Sequence, residues 1–151
     1  MKKIREMLRT NPNHQVYTVI PEQSVLSAAQ YMRAANIGAV PVLRNDVLLG
    51  VVSERDMLTK VLGPGLDPRD VFVGQIMSDQ VITVSPDETW EDCMIKMRTT
   101  HCRHLPVVEN HKVIGMISLR EVLGATEAET LDAYLWDRTV RQEINEAEVR
   151  K

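Results

Sequence analysis

The sequence predicts an α/β (α+β) fold: two like β-α-β-β-α units with helices added at both ends. Three observations predict it. First, the chain repeats itself: moved by 65 residues, Val16–Leu58 falls on Val81–Leu123 without a gap, and thirteen of the 43 pairs are identical, Pro21/Pro86, Pro41/Pro106, Gly50/Gly115 and Ser53/Ser118 among them. Second, each copy passes from a β-branched run through a helical apolar period to two further apolar runs joined by a turn. Third, 151 residues with 44% hydrophobic and 26% charged residues suffice for one globular core. Two like units bury their apolar faces together and leave a pair of related clefts between them.

The elements follow in order. Lys3–Leu8 reads as a short helix ahead of the first unit. Val16-Tyr17-Thr18-Val19 and Val81-Ile82-Thr83-Val84 read as strands ending at Pro21 and Pro86. Ser24 and Thr89 are N-caps for helices whose apolar residues recur at i, i+3, i+4 and i+7: Val25, Ala28, Ala29, Met32, and Trp90, Cys93, Met94, Met97. The runs Val40-Pro41-Val42-Leu43 and Leu105-Pro106-Val107-Val108 come next, then turns at Arg44-Asn45-Asp46 and Glu109-Asn110-His111. Longer strands at 47–52 and 112–117 run into Ser53-Glu54-Arg55-Asp56 and Ser118-Leu119-Arg120-Glu121, where a second helix opens. Gly63-Pro64-Gly65-Leu66-Asp67-Pro68 punctuates the link. Thr126-Glu127-Ala128-Glu129 is a capping box for an amphipathic C-terminal helix carrying Leu131, Tyr134, Leu135, Val140 and Ile144. The whole is one module over 1–151: repeat one 10–62, linker 63–74, repeat two 75–124 and the C-terminal helix 125–151.

Composition narrows the function. Net charge is −3 with the basic residues scattered, a poor footprint for nucleic acid, which needs a positive face. No apolar stretch nears the roughly 20 residues that span a bilayer, and Met1–Glu6 lacks the apolar core of a secretion signal. A cytoplasmic protein with neither membrane nor nucleic-acid partner is expected. Cys93 and Cys102 form no Cys-x-x-Cys pair and read as buried reduced thiols, a thiol-based redox protein being the distant alternative. His101 and His104 stand at i, i+3 without acidic or thiolate partners at ligand spacing, so no metal site is expected. No nucleophile–base pair or phosphate loop is evident, which argues against an enzyme.

The strand–proline pattern, the Gly-h-h-Ser-x-x-acid turn and the tandem arrangement resemble a pair of cystathionine β-synthase (CBS) domains. The resemblance rests on Gly50-Val51-Val52-Ser53-Glu54-Arg55-Asp56, and on Arg103-His104-Leu105-Pro106-Val107-Val108 leading to Gly115-Met116-Ile117-Ser118. It covers both repeats and the link, and the chain is similar to the small stand-alone members. It implies pseudo-two-fold packing of the repeats, assembly of two pairs as a flat disc, and adenosine-containing ligands in crossed clefts: AMP foremost, with ADP, ATP, NAD(H) or S-adenosylmethionine as the others.

The turn residues give this a physical basis. A helix opening at Ser53 presents unpaired N–H groups and partial positive charge suited to a phosphate. An ionised carboxylate three residues on can accept both hydrogens of a ribose diol. Ser-x-x-Asp and Ser-x-x-Glu are equally capping-box patterns, worth about 1 kcal/mol of helix stability without any ligand. Within the resemblance, the better cleft gathers Ser53, Arg55, Asp56, Val51, Val52 and Ser78 with Arg103, His104, Leu105 and Pro106 crossing from the other repeat. The other cleft gathers Ser118, Arg120, Glu121 and Met116 with Ile37, Gly38, Ala39 and Val40, with His104 nearby and Asn13-His14-Gln15 at its edge; it is the weaker because Glu121 is one methylene longer and suits the cap. The expected function is a non-catalytic sensor acting as a homodimer on a protein partner, the alternative being a dimerisation scaffold with vestigial clefts.

Overall fold

The computed structural model describes residues 2–10 and 15–125. The helices are α1 (Ile4–Thr10), α2 (Val25–Ala35), α3 (Glu54–Met57), α4 (Val73–Ile76), α5 (Trp90–Thr100) and α6 (Leu119–Ala125). The strands are β1 (Ala39–Arg44), β2 (Val47–Ser53), β3 (His104–Glu109) and β4 (Lys112–Ser118). Of the expected C-terminal helix over 125–151, only Ala125, the end of α6, lies among the described residues. Asn13 and His14 lie outside them too.

The 65-residue repeat recurs in the first helices, the hairpins and the parallel bridges. Ser24 accepts from the Ser27 N–H at the start of α2, while Thr89 and Asp92 cap α5 reciprocally. Both helices stop at a left-handed residue, Asn36 and His101, each with φ of 55°. Antiparallel hairpins β1–β2 and β3–β4 follow, with register shifts at Val42/Leu43 and Val107/Val108. Their turns place two consecutive residues at positive φ: Asn45 and Asp46 at 51° and 64°, Asn110 and His111 at 51° and 65°. These are the dihedral signs of a type I′ turn, which matches strand twist and favours Asn and Asp.

The expected first strands are reduced to single residues. Val19 bridges Val42 and Val84 bridges Val107, both parallel. The bonds are Val19 N–H to the Pro41 carbonyl at 3.1 Å and Leu43 N–H to the Val19 carbonyl at 2.9 Å, repeated between Val84, Pro106 and Val108. Continuing that ladder upstream requires an N–H from Pro41, and downstream one from Pro21. Neither exists, so prolines at both ends hold each strand to one bridge.

Two cores result, and each is completed by a helix that precedes the other repeat. The first joins Val25, Ala28, Met32, Val40, Val42 and Val52 to Val73 and Ile76 of α4. The second joins Val84, Cys93, Met97, Leu105, Val107 and Ile117 to Ile4 and Met7 of α1. Ile4 N–H donates to the Glu88 carbonyl as Val73 N–H does to that of Gln23; Arg5 N–H donates to Pro86 as Gly74 does to Pro21. The N-terminal helix, expected in front of the first unit, therefore serves the second.

The second helices differ. The first repeat's α3 is a single turn, followed by a π-helical stretch, Leu58–Leu62, closed by Gly63 N–H donating to the Leu58 carbonyl at 2.7 Å. The second repeat's α6 is continuous α-helix from Leu119 to Ala125.

Candidate functional site

Both turns singled out in the sequence form closed caps. At the first, the Ser53 N–H and hydroxyl donate to Asp56 Oδ2 at 2.9 and 3.0 Å, and the Asp56 N–H returns to Ser53 Oγ at 3.2 Å. At the second, the Ser118 N–H and hydroxyl donate to Glu121 Oε2 at 2.7 and 3.0 Å, and the Glu121 N–H returns to Ser118 Oγ at 3.2 Å. The longer Glu side chain closes the same box.

The surroundings differ. Asp56 Oδ1 is paired with Lys60 Nζ at 3.1 Å, and Lys60 also donates to the Ile76 carbonyl at 2.8 Å. Both Asp56 oxygens are thus engaged. Beside them Ser78 pairs with Val51 through two backbone bonds, of 3.0 and 2.9 Å. A Cβ added at Gly50 would meet the Ser78 carbonyl at 2.6 Å and Met77 Sδ at 2.8 Å, so Met77 and Ser78 lie tightly over the Gly50–Val51 edge of β2. Ser78 enters as backbone.

The pseudo-equivalent edge, Gly115–Met116, faces a cleft of about 750 Å³ between the repeats. From the second repeat Ser118, Arg120, Glu121 and His104 line it; from the first come Ile37, Gly38 and Ala39, with Gln15 at the rim. Of the residues assigned by sequence to the weaker cleft, Ser118, Arg120, Glu121, Met116, Ile37 and Ala39 all line this space. Val40 does not: its side chain is fully buried in the first core.

Of the residues assigned to the Asp56 cleft, His104 lines the Glu121 cleft, beside which it was also expected. Val52 and Leu105 are fully buried core side chains, so only their backbone is free to meet a ligand. Pro106 is buried opposite Met116 in the β3–β4 hairpin. Ser53, Asp56, Val51 and Ser78 are brought together at the end of β2. Arg55 and Arg103 are exposed, and the Arg103 carbonyl accepts from the Leu119 N–H at 2.8 Å.

The cleft residues unassigned from the sequence include Tyr17, Arg33 and Glu54. The signal for two of them lay in the repeat, where Tyr17 stands opposite Ile82 and Glu54 opposite Leu119. Tyr17 meets Tyr31 edge to face, with ring centroids 5.8 Å apart. Glu54 N–H donates to the Gly38 carbonyl at 2.9 Å, and its carboxylate stands against the Gly38 backbone, 3.1 Å from where a Cβ would be.

Electrostatics set the protonation states. Burial holds the His104 imidazolium below the usual histidine range, against the opposing pull of Glu54 and Glu121 and with help from Arg103. Burial, reinforced by Glu88, pushes the Cys93 thiol up to about 12, so it stays protonated and unreactive at neutral pH. Among the described residues no three His, Cys, Asp or Glu side chains are grouped to hold a metal, and no helix is long and apolar enough to cross a membrane.

Known proteins match over the same elements. The profile of the CBS domain matches residues 4–63 and again 73–128. The CBS domain-containing protein YhcV of Bacillus subtilis is 30% identical over 122 residues, 81% of this chain and 84% of that protein. The crystal structure of the CBS-domain containing protein ATU1752 from Agrobacterium tumefaciens superposes with a TM-score of 0.75 at 32% identity, over 82% of this chain and 98% of that one. The CBS domain pair of protein MJ0100, solved in complex with 5′-methylthioadenosine and S-adenosyl-L-methionine, shares the fold with a TM-score of 0.70 at 23% identity, over 81% of this chain and 93% of that one.

Proposed function

The chain belongs to the CBS-domain family, whose paired domains are regulatory modules, and from that premise we propose that it is a non-catalytic sensor binding an adenosine-containing ligand in the cleft around Glu121. The observation that carries the reading is the inter-repeat cleft of about 750 Å³, large enough for a nucleoside by the usual pocket scale. One side offers the Ser118 hydroxyl and the Glu121 carboxylate, and the other the Tyr17 ring and the Gly38–Ala39 backbone. An aromatic face suits a purine, and a carboxylate suits a ribose diol. The adenosyl ligands held by the MJ0100 domain pair are the precedent in this fold.

AMP is the foremost ligand, and ADP, ATP, NAD(H) and S-adenosylmethionine are the related adenosyl compounds to be compared with it. The Asp56 turn is a second position, narrower because Met77 and Ser78 cover the Gly50 edge and Lys60 engages the carboxylate. The protein acts as a homodimer on a separate partner. Leu58 and Leu62, 58% and 59% exposed, supply apolar surface for such contacts. The redox alternative is disfavoured by the protonated, buried Cys93.

Thermal unfolding with each ligand tests the reading. Binding at 100 times the dissociation constant raises stability by about 2.7 kcal/mol. A melting shift with at least one adenosyl ligand is expected. A flat response to all five leaves the scaffold reading in its place.

A further inference from the structure

Within the Glu121 cleft, we propose that Glu54 is a charge filter: it sets an upper limit on the phosphates a bound nucleoside can carry, admitting adenosine and its monophosphate and excluding polyphosphates. The inference rests on the reading of this cleft as a nucleoside site and adds which class of nucleotide it takes. Glu54 occupies the repeat position of Leu119, so the carboxylate belongs to this cleft alone. It stands against Gly38, whose repeat counterpart is Arg103. Where the repeat pattern would put a cation, this cleft therefore has an anion.

The charges facing the space are few. Arg33 comes from α2, Arg120 and Glu121 from α6, Glu54 from α3 and His104 from β3. Burial holds His104 toward its neutral form. Two guanidinium groups thus meet two carboxylates. No hydrogen bond or ion pair among the described residues holds the Glu54 carboxylate, which lies exposed at the cleft wall. Arg33 and Arg120 can match the two charges of a monophosphate. Further phosphates find no third arginine in the lining and add negative charge beside Glu54, a repulsion that its exposure to solvent moderates.

Calorimetric titration of the full chain with adenosine, AMP and ATP, for wild type and Glu54→Gln, is the test. Wild type should bind adenosine and AMP comparably and ATP at least about tenfold more weakly. Glu54→Gln should recover about tenfold in ATP affinity with adenosine unchanged, and raising salt should narrow the ATP gap in wild type only. ATP binding as tight as AMP in wild type, or an unchanged ATP gap in Glu54→Gln, overturns the filter while leaving the nucleoside site intact. No heat from any of the three ligands in either protein overturns the site reading and the filter together.

Discussion

The two repeats share the backbone bonds of their hairpins and bridges and differ most in what surrounds their caps. Around Asp56 the edge of β2 is covered by Met77 and Ser78, and the carboxylate is locked by Lys60. Around Glu121 the corresponding edge of β4 lines open space shared with Tyr17, Gly38 and Glu54 of the first repeat. A duplicated fold thus keeps its scaffold at positions that hold hydrogen bonds or core volume. It diversifies at positions that face the space between copies.

The largest effects test the scaffold half of this comparison. Ile4 and Val73 are both fully buried and hold equivalent places in the two cores. Ile4→Ala should cost about 3 kcal/mol and Val73→Ala about 2 kcal/mol in denaturant unfolding, as core truncations do. If Ile4→Ala leaves stability unchanged, α1 does not complete the second core.

Next come the glycines that set how closely each cleft is approached. Gly50→Ala drives a Cβ into the Ser78 carbonyl and should cost about 2 kcal/mol. Gly38→Ala meets only the tip of the Glu54 side chain at 3.1 Å, which can swing aside, and should cost less than about 0.5 kcal/mol. Equal melting shifts for the two variants would erase the difference in closure between the Asp56 and Glu121 edges.

Cap removal is smaller and more even. Ser53→Ala and Ser118→Ala should each lose about 1 kcal/mol, since each removes one reciprocal box. A loss confined to Ser53→Ala would mean that the Glu121 box contributes nothing to stability.

The smallest effect is a pH slope. The folded state lowers the pKa of His104 from its ordinary value of 6.5, so the unfolded chain binds more protons across that window. The stabilisation is complete above 6.5 and is lost as pH falls through the folded value. His104→Gln should flatten the fall in stability below that pH relative to wild type. Parallel pH profiles would remove His104 as its source.

The repeat, the helices with their caps, the hairpins and both turn motifs were legible in the sequence because each is a local pattern with one structural answer. The first strands were overread. Val16–Val19 has strand composition, yet Pro21 and Pro41 remove the N–H groups that would extend the ladder. The exchange of α1 and α4 between the two cores was not legible, because Ile4 and Val73 are apolar whichever repeat they serve. The cleft residues Ile37, Ala39, Met116, Ser118, Arg120 and Glu121 were legible through the crossed arrangement that the family resemblance implied. What the sequence ranked differently was the closure of the two clefts. That depends on Met77, Ser78 and Lys60, which reach the Asp56 turn through packing and through one i,i+4 pair. Glu54 and Tyr17 were visible as mismatches with Leu119 and Ile82 but meant nothing until the fold placed them against the other repeat.

The central claim is that ligand enters on the Glu121 side. Calorimetric titration with AMP, well below the melting temperature of every variant, compares Asp56→Ala with Glu121→Ala directly. Affinity within about twofold of wild type for Asp56→Ala and at least about tenfold weaker for Glu121→Ala is the predicted result. Binding that survives Glu121→Ala and vanishes in Asp56→Ala would contradict it and move the site to the other turn.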